Sequence, residues 1–227
     1  MIIPVQTLLV GSVKAFGPKG TGSGIDKQPV KGPVRLGREG LAGDAQGDRR
    51  HHGGVDKAVH HYARDHYAVW CDELGALDVL ARSGAFGENL STLGLTEADV
   101  AIGDVFRLGT ALVEVSQGRQ PCWKLNVRFG VPDMAQRVQS SGRTGWYYRV
   151  LEEGVVAPGD MLQRVERRMA DWPLARLWNV LYVDTLDTDE LAAMAALPGL
   201  PESWRRLAAR RIERHRVEDW SPRLVGR

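Results

Sequence analysis

The sequence predicts a mainly β fold with some α-helix, an α+β protein in which a β-barrel with a few short helices is followed by a small three-helix module. Up to about residue 165, glycines separate short apolar runs at the intervals typical of a many-stranded sheet. After about residue 168, the apolar residues take up helical spacing. We therefore place the barrel domain at residues 1–167 and the helical domain with its tail at residues 168–227.

Two hairpins are predicted in the barrel domain. The apolar runs 105–108 and 111–116 are joined through Gly109, and glycine at the first turn position suits a type II′ turn. A second hairpin is expected over residues 147–156. Helices are expected over residues 65–80, where one apolar stripe has helical spacing, and between Pro132 and Gly142. The last quarter of the chain predicts three further helices, which begin near Pro173, Asp187 and Trp204.

The composition is typical of a globular protein and argues against several classes of function. In 227 residues, 30 basic and 28 acidic side chains give a formal charge of +2, so a polybasic nucleic-acid-binding protein is not expected. No apolar run is long enough to span a membrane. Two cysteines do not make a disulfide scaffold, and we expect a cytoplasmic protein. We interpret the arginines of residues 205–216 as a solvated helix face, with partner docking as the alternative.

Cys122 is the thiol best placed for chemistry. It follows Pro121 after a predicted strand, and proline can begin a helical turn whose unpaired N–H groups lie near the thiol. Arg119 and Lys124 add positive charge, and both effects favour the thiolate that acts as a nucleophile or metal ligand. A small apolar side chain in a turn is the alternative. Cys71 lies on the apolar stripe of a helix, so we expect it to fill space in the core.

Five of the six histidines lie close together in the sequence, which prompts a zinc hypothesis. They are His51, His52, His60, His61 and His66. Adjacent residues of a strand point to opposite faces, so at most one of His60 and His61 faces any given site. No His-Glu-x-x-His or Cys-x-x-Cys pattern is present. A zinc site is therefore disfavoured.

Three loops place polar side chains beside glycine, where backbone N–H groups can approach a ligand closely. They are His52-Gly53-Gly54, Phe86-Gly87-Glu88-Asn89 and the loop before Cys122. Several cations in these parts of the chain can add charge around a phosphate. They are Arg49, Arg50, Lys57, Arg119 and Lys124. Ordinary tight turns are the alternative, and no Walker or dinucleotide-binding motif is present.

Several segments, taken in order, carry a family resemblance. They are His52-Gly53-Gly54, residues 57–62, residues 86–90, residues 103–107, Arg119-Gln120-Pro121-Cys122 and Gly145-Trp146-Tyr147. With the helical end of the chain, they resemble the MOSC domain family, specifically its YiiM branch of bacterial proteins, in which a MOSC β-barrel precedes a three-helix domain. The resemblance covers nearly the whole chain. Trp123 departs from it, since a smaller aromatic residue is expected after the cysteine.

The resemblance implies a protein that binds the molybdenum cofactor (molybdopterin) and works without pyridoxal phosphate. Cys122 occupies the position of the family's molybdenum ligand, and a soft thiolate suits a metal already bound by dithiolene sulfur. The predicted catalytic residues are Cys122, Glu88 and His61, with His52 as a further proton donor or supporting group. The predicted cofactor-binding residues are His52, Gly53, Gly54, Lys57, Glu88, Asn89, Ser116, Arg119 and Cys122.

The activity implied by the resemblance is that of an oxidoreductase. It is the two-electron reduction of N-hydroxylated compounds such as hydroxylaminopurines, which detoxifies them. Electrons are expected from a separate flavoprotein, since the chain has no flavin or iron–sulfur motif. A homodimer is also expected. Two alternatives remain open: Cys122 can carry a persulfide in sulfur transfer, or the protein can bind molybdopterin and pass it on without turnover.

Overall fold

The computed structural model describes residues 1–48 and 52–226, and within these ranges it contains fourteen strands and seven α-helices. The strands are β1 (Ile2–Pro4), β2 (Thr7–Val10), β3 (Lys14–Phe16), β4 (Thr21–Ser23), β5 (Gln28–Pro29), β6 (Val34–Gly37), β7 (Gly40–Leu41), β8 (Val59–Ala63), β9 (Leu90–Thr92), β10 (Val105–Leu108), β11 (Ala111–Gly118), β12 (Trp146–Glu152), β13 (Gly154–Val156) and β14 (Met161–Glu166). The helices are α1 (Asp65–Leu74), α2 (Lys124–Phe129), α3 (Met134–Ser141), α4 (Leu174–Tyr182), α5 (Thr188–Ala196), α6 (Glu202–Arg214) and α7 (Ser221–Leu224). The α+β class is confirmed.

Nine strands form the main sheet, in the order β1-β14-β10-β11-β12-β8-β9-β2-β5. Neighbouring strands are antiparallel except β8 and β9, which are parallel. The first predicted hairpin is confirmed as β10 and β11, with Leu108 opposite Ala111. Between them Gly109 has a φ of +57°, in the left-handed region that a tight hairpin turn requires.

The second predicted hairpin, over residues 147–156, is wrong. β12 pairs with β11 over Trp146–Glu152 and with β8 over Trp146–Tyr148, but it does not pair with β13. β13 pairs with β6 in a separate sheet of order β13-β6-β7. The turn was therefore located correctly, but the partner of the second strand lies far away in the sequence.

The N-terminal segment pairs with strands near both ends of the strand order of the main sheet. β1 pairs with β14, and β2, directly after it, pairs with β9. Between the two strands, the Val5 N–H donates to the Asp160 carbonyl at 2.9 Å and the Gln6 N–H to the Ser91 carbonyl at 3.0 Å. One segment can pair with both sides only if the sheet curves around its core. Closure into a complete barrel remains a prediction. Among the described residues, β1 and β5 are the outermost strands of this sheet, and they do not pair with each other.

The five predicted helices are present, one of them shorter than predicted, whereas α2 and α7 were not predicted. α1 ends at Leu74 rather than near residue 80, because Gly75 has a φ of +81° and its N–H caps the Cys71 carbonyl at 2.9 Å. A separate 3-10 turn, Asp78–Leu80, covers the remaining residues. α4, α5 and α6 are the three helices predicted for the end of the chain. No helix in the described ranges is both long and apolar enough to cross a membrane.

The helical module shares its core with the main sheet. Val115 of β11, Leu177 of α4 and Trp204 of α6 belong to one cluster of buried side chains. Backbone bonds reinforce this contact, since the Leu174 N–H donates to the Val100 carbonyl at 2.9 Å. The boundary between the two parts at residue 168 remains a prediction.

The arginine-rich helix α6 is only partly a solvated face. Arg210 and Arg214 are exposed, but Arg211 is 2% exposed. Its Nε and Nη2 donate to the Glu218 carboxylate at 3.0 and 2.8 Å, and its Nη1 donates to the Leu181 carbonyl at 3.0 Å. Arg211 therefore holds the chain after α6 against the end of α4.

Candidate functional site

Cys122 lies in the turn that leads from β11 to α2, and the thiol is half-buried. The turn is attached to the sheet, because the Arg119 N–H donates to the Gly145 carbonyl at 2.9 Å. It is also attached to the C-terminal tail. There the Trp123 N–H donates to the Arg223 carbonyl at 2.8 Å, and the Arg223 side chain donates to the Pro121 carbonyl. The position of the thiol is thus fixed from both sides.

A cavity of about 80 Å³, which we call the cysteine cavity, lies beside this turn. Its lining comes from the loops at residues 23–27, 44–47, 52–60 and 86–89 as well as from the cysteine turn. Two of these loops touch through their backbones. A Cβ on Gly24 would lie 1.8 Å from the Ala45 carbonyl oxygen, and a Cβ on Gly47 would lie 2.0 Å from that of Gly22. Glycine is required at both positions because the backbones leave no room for a side chain.

His52 contacts the thiol: its Nε2 lies 3.5 Å from the Cys122 sulfur. Burial, followed by the charges of Lys124, Lys57 and Arg119, lowers the pKa of His52 to about 4. The imidazole is therefore neutral at pH 7. A neutral imidazole at this distance can accept the thiol proton or donate a hydrogen bond to the thiolate.

Three buried nitrogen atoms of cavity-lining residues have no hydrogen-bond partner in the described protein. They are Nδ1 of His52, Nε2 of His60, a residue 4% exposed, and Nη1 of Arg119, a residue 6% exposed. Burial, and next the Arg119 charge, lowers the pKa of His60, which keeps its ring neutral. Buried polar groups are nearly always paired, so three such atoms on residues that line one cavity indicate a polar ligand there.

Buried charged side chains also line the cysteine cavity. Lys27 forms an ion pair with Asp44, and both side chains are less than a tenth exposed. Asp44 also accepts the Gly11 N–H at 2.8 Å. Burial lowers the pKa of Lys27, although the Asp44 charge opposes this shift. Lys124 adds a second buried ammonium group, which donates to the Gly22 carbonyl at 3.4 Å.

The structure brings together five of the predicted site residues. His52, Lys57, Asn89, Arg119 and Cys122 all line the cysteine cavity. The Asn89 amide is used within the protein, since it accepts the His60 N–H at 3.0 Å and donates to the Leu9 carbonyl at 3.1 Å. Gly53 and Gly54 lie outside the lining, and Gly54 caps the 3-10 turn Val55–Lys57. Arg49, Arg50 and His51 lie outside the described residues.

Glu88 is buried beneath its loop rather than in the cavity. Its carboxylate accepts the Tyr67 hydroxyl, the Gly84 N–H at 2.6 Å and the Phe86 N–H at 3.0 Å. All three donors belong to the protein, so this carboxylate shapes the loop over residues 84–88. Predicted proton donation by Glu88 finds no support in this position.

His61 and Ser116 are also satisfied by protein partners away from the cavity. The His61 ring contacts the Tyr148 hydroxyl at 3.0 Å and the Thr92 hydroxyl at 2.8 Å. Ser116 donates to the Asp56 carbonyl at 2.6 Å. Adjacent residues of a strand point to opposite faces. His60, just before His61, lines the cysteine cavity, and Gln117, just after Ser116, lines a second space beside Cys122.

A second space of about 590 Å³, which we call the outer groove, continues from Cys122 toward the helical module. It shares His52, Lys57, Gln120 and Tyr147 with the cysteine cavity. Its far wall comes from α6 and the tail, through Ser203, Trp204, Leu207, Pro222 and Arg223. The Trp204 ring lies close to the end of β11: a Cβ on Gly118 would be 3.7 Å from the indole, an ordinary van der Waals contact.

The lining residues that the sequence does not predict include Lys27, His60, Tyr147 and Trp204. His60 was one of two alternatives on its strand, and Tyr147 lies within a quoted motif. Lys27 and Trp204 gave no local signal, since each reaches the site only through the fold.

Comparison with known proteins defines the class. Residues 48–163 match the MOSC domain, and residues 172–215 match the YiiM-like, 3-alpha helix domain. The chain belongs to the MOSC domain family, in the branch that carries this YiiM-like helical domain.

Individual relatives agree with this class. Protein YiiM of Escherichia coli (strain K12) is 40% identical to this chain over 230 residues, which is 100% of each protein. The crystal structure of YiiM from Geobacillus stearothermophilus has a TM-score of 0.79 and 35% identity, and the match covers 93% of this chain and 100% of that one. A protein of Gibberella moniliformis named Reductase is 38% identical over 177 residues, which is 78% of this chain but 31% of that protein.

Proposed function

We propose that this protein is an oxidoreductase that uses the molybdenum cofactor to reduce N-hydroxylated compounds such as hydroxylaminopurines. One observation carries the proposal: the half-buried Cys122 thiol adjoins a cavity whose lining residues carry three buried nitrogen atoms without a protein partner, on His52, His60 and Arg119. The fungal relative named Reductase supports the type of reaction.

The lining residues fit such a cofactor. The unpartnered Nη1 of Arg119 and the buried ammonium groups of Lys27 and Lys124 suit a phosphate, and Arg119 can bind it through two nitrogens. The His60 ring nitrogen suits a polar edge of the pterin. Cys122 offers a thiolate, the soft ligand that molybdenum in a dithiolene environment accepts. When bound, the cofactor supplies two-electron redox chemistry.

The protein's own residues hold and move protons. Reduction of R–NH–OH to R–NH₂ and water consumes two electrons and two protons, and the leaving oxygen must be protonated. His52 is neutral at pH 7 and contacts the Cys122 sulfur, so its Nε2 can donate a hydrogen bond to the thiolate that would bind the metal. Tyr147 also lines the site, and burial raises its pKa, so its hydroxyl remains a donor at neutral pH.

The electrons are proposed to come from a separate reduced flavoprotein, as the sequence predicts. The test is coupled turnover: with reduced donor present, donor and N-hydroxylated substrate should disappear together. A carrier of molybdopterin would consume neither. A homodimer is a further prediction, and mass measurement in solution tests it.

The first prediction concerns Cys122. In protein made by a host that synthesises the cofactor, Cys122→Ala should lose bound molybdenum and reductase activity because the thiolate ligand is gone. Molybdenum is measured by elemental analysis. Cys71→Ala is the matched control, since Cys71 lies on α1 outside both spaces, and it should keep molybdenum and activity.

A Cys122→Ala protein that retains both molybdenum and activity would overturn the proposal. If the wild-type protein binds no molybdenum even after addition of free cofactor, the reductase function falls as well. A persulfide on Cys122, detected by mass spectrometry, would then support the alternative of sulfur transfer.

A further inference from the structure

The far wall of the outer groove belongs to a different part of the chain from Cys122. The thiol, Gln120 and Tyr147 lie within residues 48–163, whereas Trp204 and Leu207 lie on α6, within residues 172–215. Trp204 is 5% exposed and Leu207 is half-buried. Both side chains line a space that also reaches the sulfur.

The chemistry of the outer groove changes along its length. Near Cys122 the lining is polar, with His52, Lys57 and the Gln117 and Gln120 amides. Trp123 lies beside the cysteine. The wall formed by α6 and the tail is mainly aromatic and apolar, with Trp204, Leu207 and Pro222, and it also carries Ser203 and Arg223. A volume of about 590 Å³ lies within the range of sites for small organic ligands, about 300–1,000 Å³.

This gradient matches one kind of molecule. Flat aromatic heterocycles stack on indole rings, and their edges hydrogen-bond to side-chain amides. A ring held against Trp204 and Leu207 would direct a substituent on its edge toward the polar end, where Cys122 lies. A small N-hydroxylated compound without a ring could reach the polar end without touching α6.

We propose that Trp204 and Leu207 of the helical module form the ring-binding wall of the site and select flat heteroaromatic substrates over compounds without a ring. This inference rests on the proposed function for the identity of the reacting group. The wall itself is inferred from the lining and chemistry of the outer groove.

The test uses two variants with opposite steric effects. Trp204→Leu removes the stacking surface, and Leu207→Trp fills the groove with a second indole. Binding of adenine, the product expected from 6-hydroxylaminopurine, is measured by calorimetry. Both variants should weaken it about tenfold, the loss typical of one base–aromatic contact. The KM for 6-hydroxylaminopurine should rise in both, while the KM for N-hydroxyurea, which has no ring, should stay unchanged.

Trp172→Leu is the matched control, because Trp172 is an equally buried indole, 8% exposed, that stacks with Arg176 outside the groove. It should lower the melting temperature and leave adenine binding unchanged. If Trp204→Leu does not fold, Leu207→Trp still tests the ring-binding wall. Leu207 is only partly buried, so its replacement should not prevent folding.

The two proposals can fail separately. Adenine binding needs no turnover, so a Trp204- and Leu207-dependent affinity supports the ring-binding wall even if no N-hydroxylated compound is reduced. The ring-binding wall is wrong if both folded variants bind adenine as tightly as the wild-type protein, or if the wild-type protein does not bind adenine. Neither result bears on the reductase activity, which coupled turnover tests separately.

Discussion

The adjacent residues His60 and His61 of β8 have different surroundings because neighbouring side chains of a strand point to opposite faces. His60 presents an unpartnered nitrogen at the cysteine cavity, whereas His61 lies between the Tyr148 and Thr92 hydroxyls. Burial lowers the pKa of both rings, that of His61 to about 3. Each histidine is therefore neutral in the folded protein at a pH where it is protonated in the unfolded chain.

These shifts predict how stability depends on pH. Below pH 6.5 the unfolded chain binds protons at His61 that the folded protein does not, so the free energy of unfolding falls as the pH falls. From pH 6.5 to 5.5, above the range in which most carboxylates titrate, His61 alone should account for about 1 kcal/mol. Urea unfolding across this range measures the slope. His61→Gln should reduce the slope, and exposed His215→Gln should leave it at the wild-type value. Equal slopes in all three proteins would contradict the assignment.

The sequence could identify part of the site and not the rest, for a physical reason. Cys122, Arg119 and His52 were predicted because polar or cationic residues beside glycine or proline form ligand-binding loops. Glu88 has the same local pattern, yet the Tyr67 hydroxyl and two backbone N–H groups consume its carboxylate. Lys27 reaches the cavity only through the fold. Local pattern reveals which side chains can do chemistry, whereas tertiary packing decides which are left unpartnered.

At the scale of the elements, the C-terminal tail, residues 215–226, contacts the cysteine turn directly. The Arg223 side chain donates to the Pro121 carbonyl and, at 2.6 Å, to Gln139 of α3. The Asn126 amide donates to the Leu224 carbonyl at 2.8 Å. At its other end the tail is held by an ion pair between buried Arg211 and exposed Glu218. The tail thus acts as a brace across the turn that carries the thiol.

Removing the brace should loosen the turn. Arg223→Ala loses two hydrogen bonds from a charged donor, so the amides of residues 119–125 should exchange with solvent about tenfold faster or more. Hydrogen–deuterium exchange with mass spectrometry measures this rate. Arg214→Ala removes the same charge from an exposed position of α6 and should leave the turn as protected as in the wild type. If the two variants give the same protection, the tail has no such role.

Element by element, the fold could be predicted where the deciding interaction is local. The hairpin of β10 and β11 and the start of α5, where Asp187 accepts two backbone N–H groups at 3.0 Å, follow from nearby residues. β13 could not be assigned its partner, because pairing with β6 depends on which sheet edges are already occupied. The Arg211–Glu218 pair was missed for a similar reason: burial depends on α4, which lies earlier in the chain.

At the scale of the molecule, the sheet and the helical module form one packed unit. Leu177 of α4 is 1% exposed within the cluster that includes Val113 and Val115 of β11. Such a shared core should make the two parts unfold together rather than in sequence.

Leu177→Ala should therefore destabilise the whole chain. A cavity at this position costs about 2–5 kcal/mol, and the transitions followed by tryptophan fluorescence and by far-ultraviolet circular dichroism should shift together. Val183→Ala, at a position 52% exposed, should change little. Two separate transitions in the Leu177 variant, with helix content lost first, would show that the module unfolds independently.

The shared outer groove also has a consequence for how such proteins diversify. Its thiol end and its indole end are encoded by separate stretches of the gene, matched to different domain families. Recombination that exchanges the distal stretch between homologues would transplant one wall of the groove and leave the cysteine turn as it was. The two walls of the groove can then be inherited from different parents.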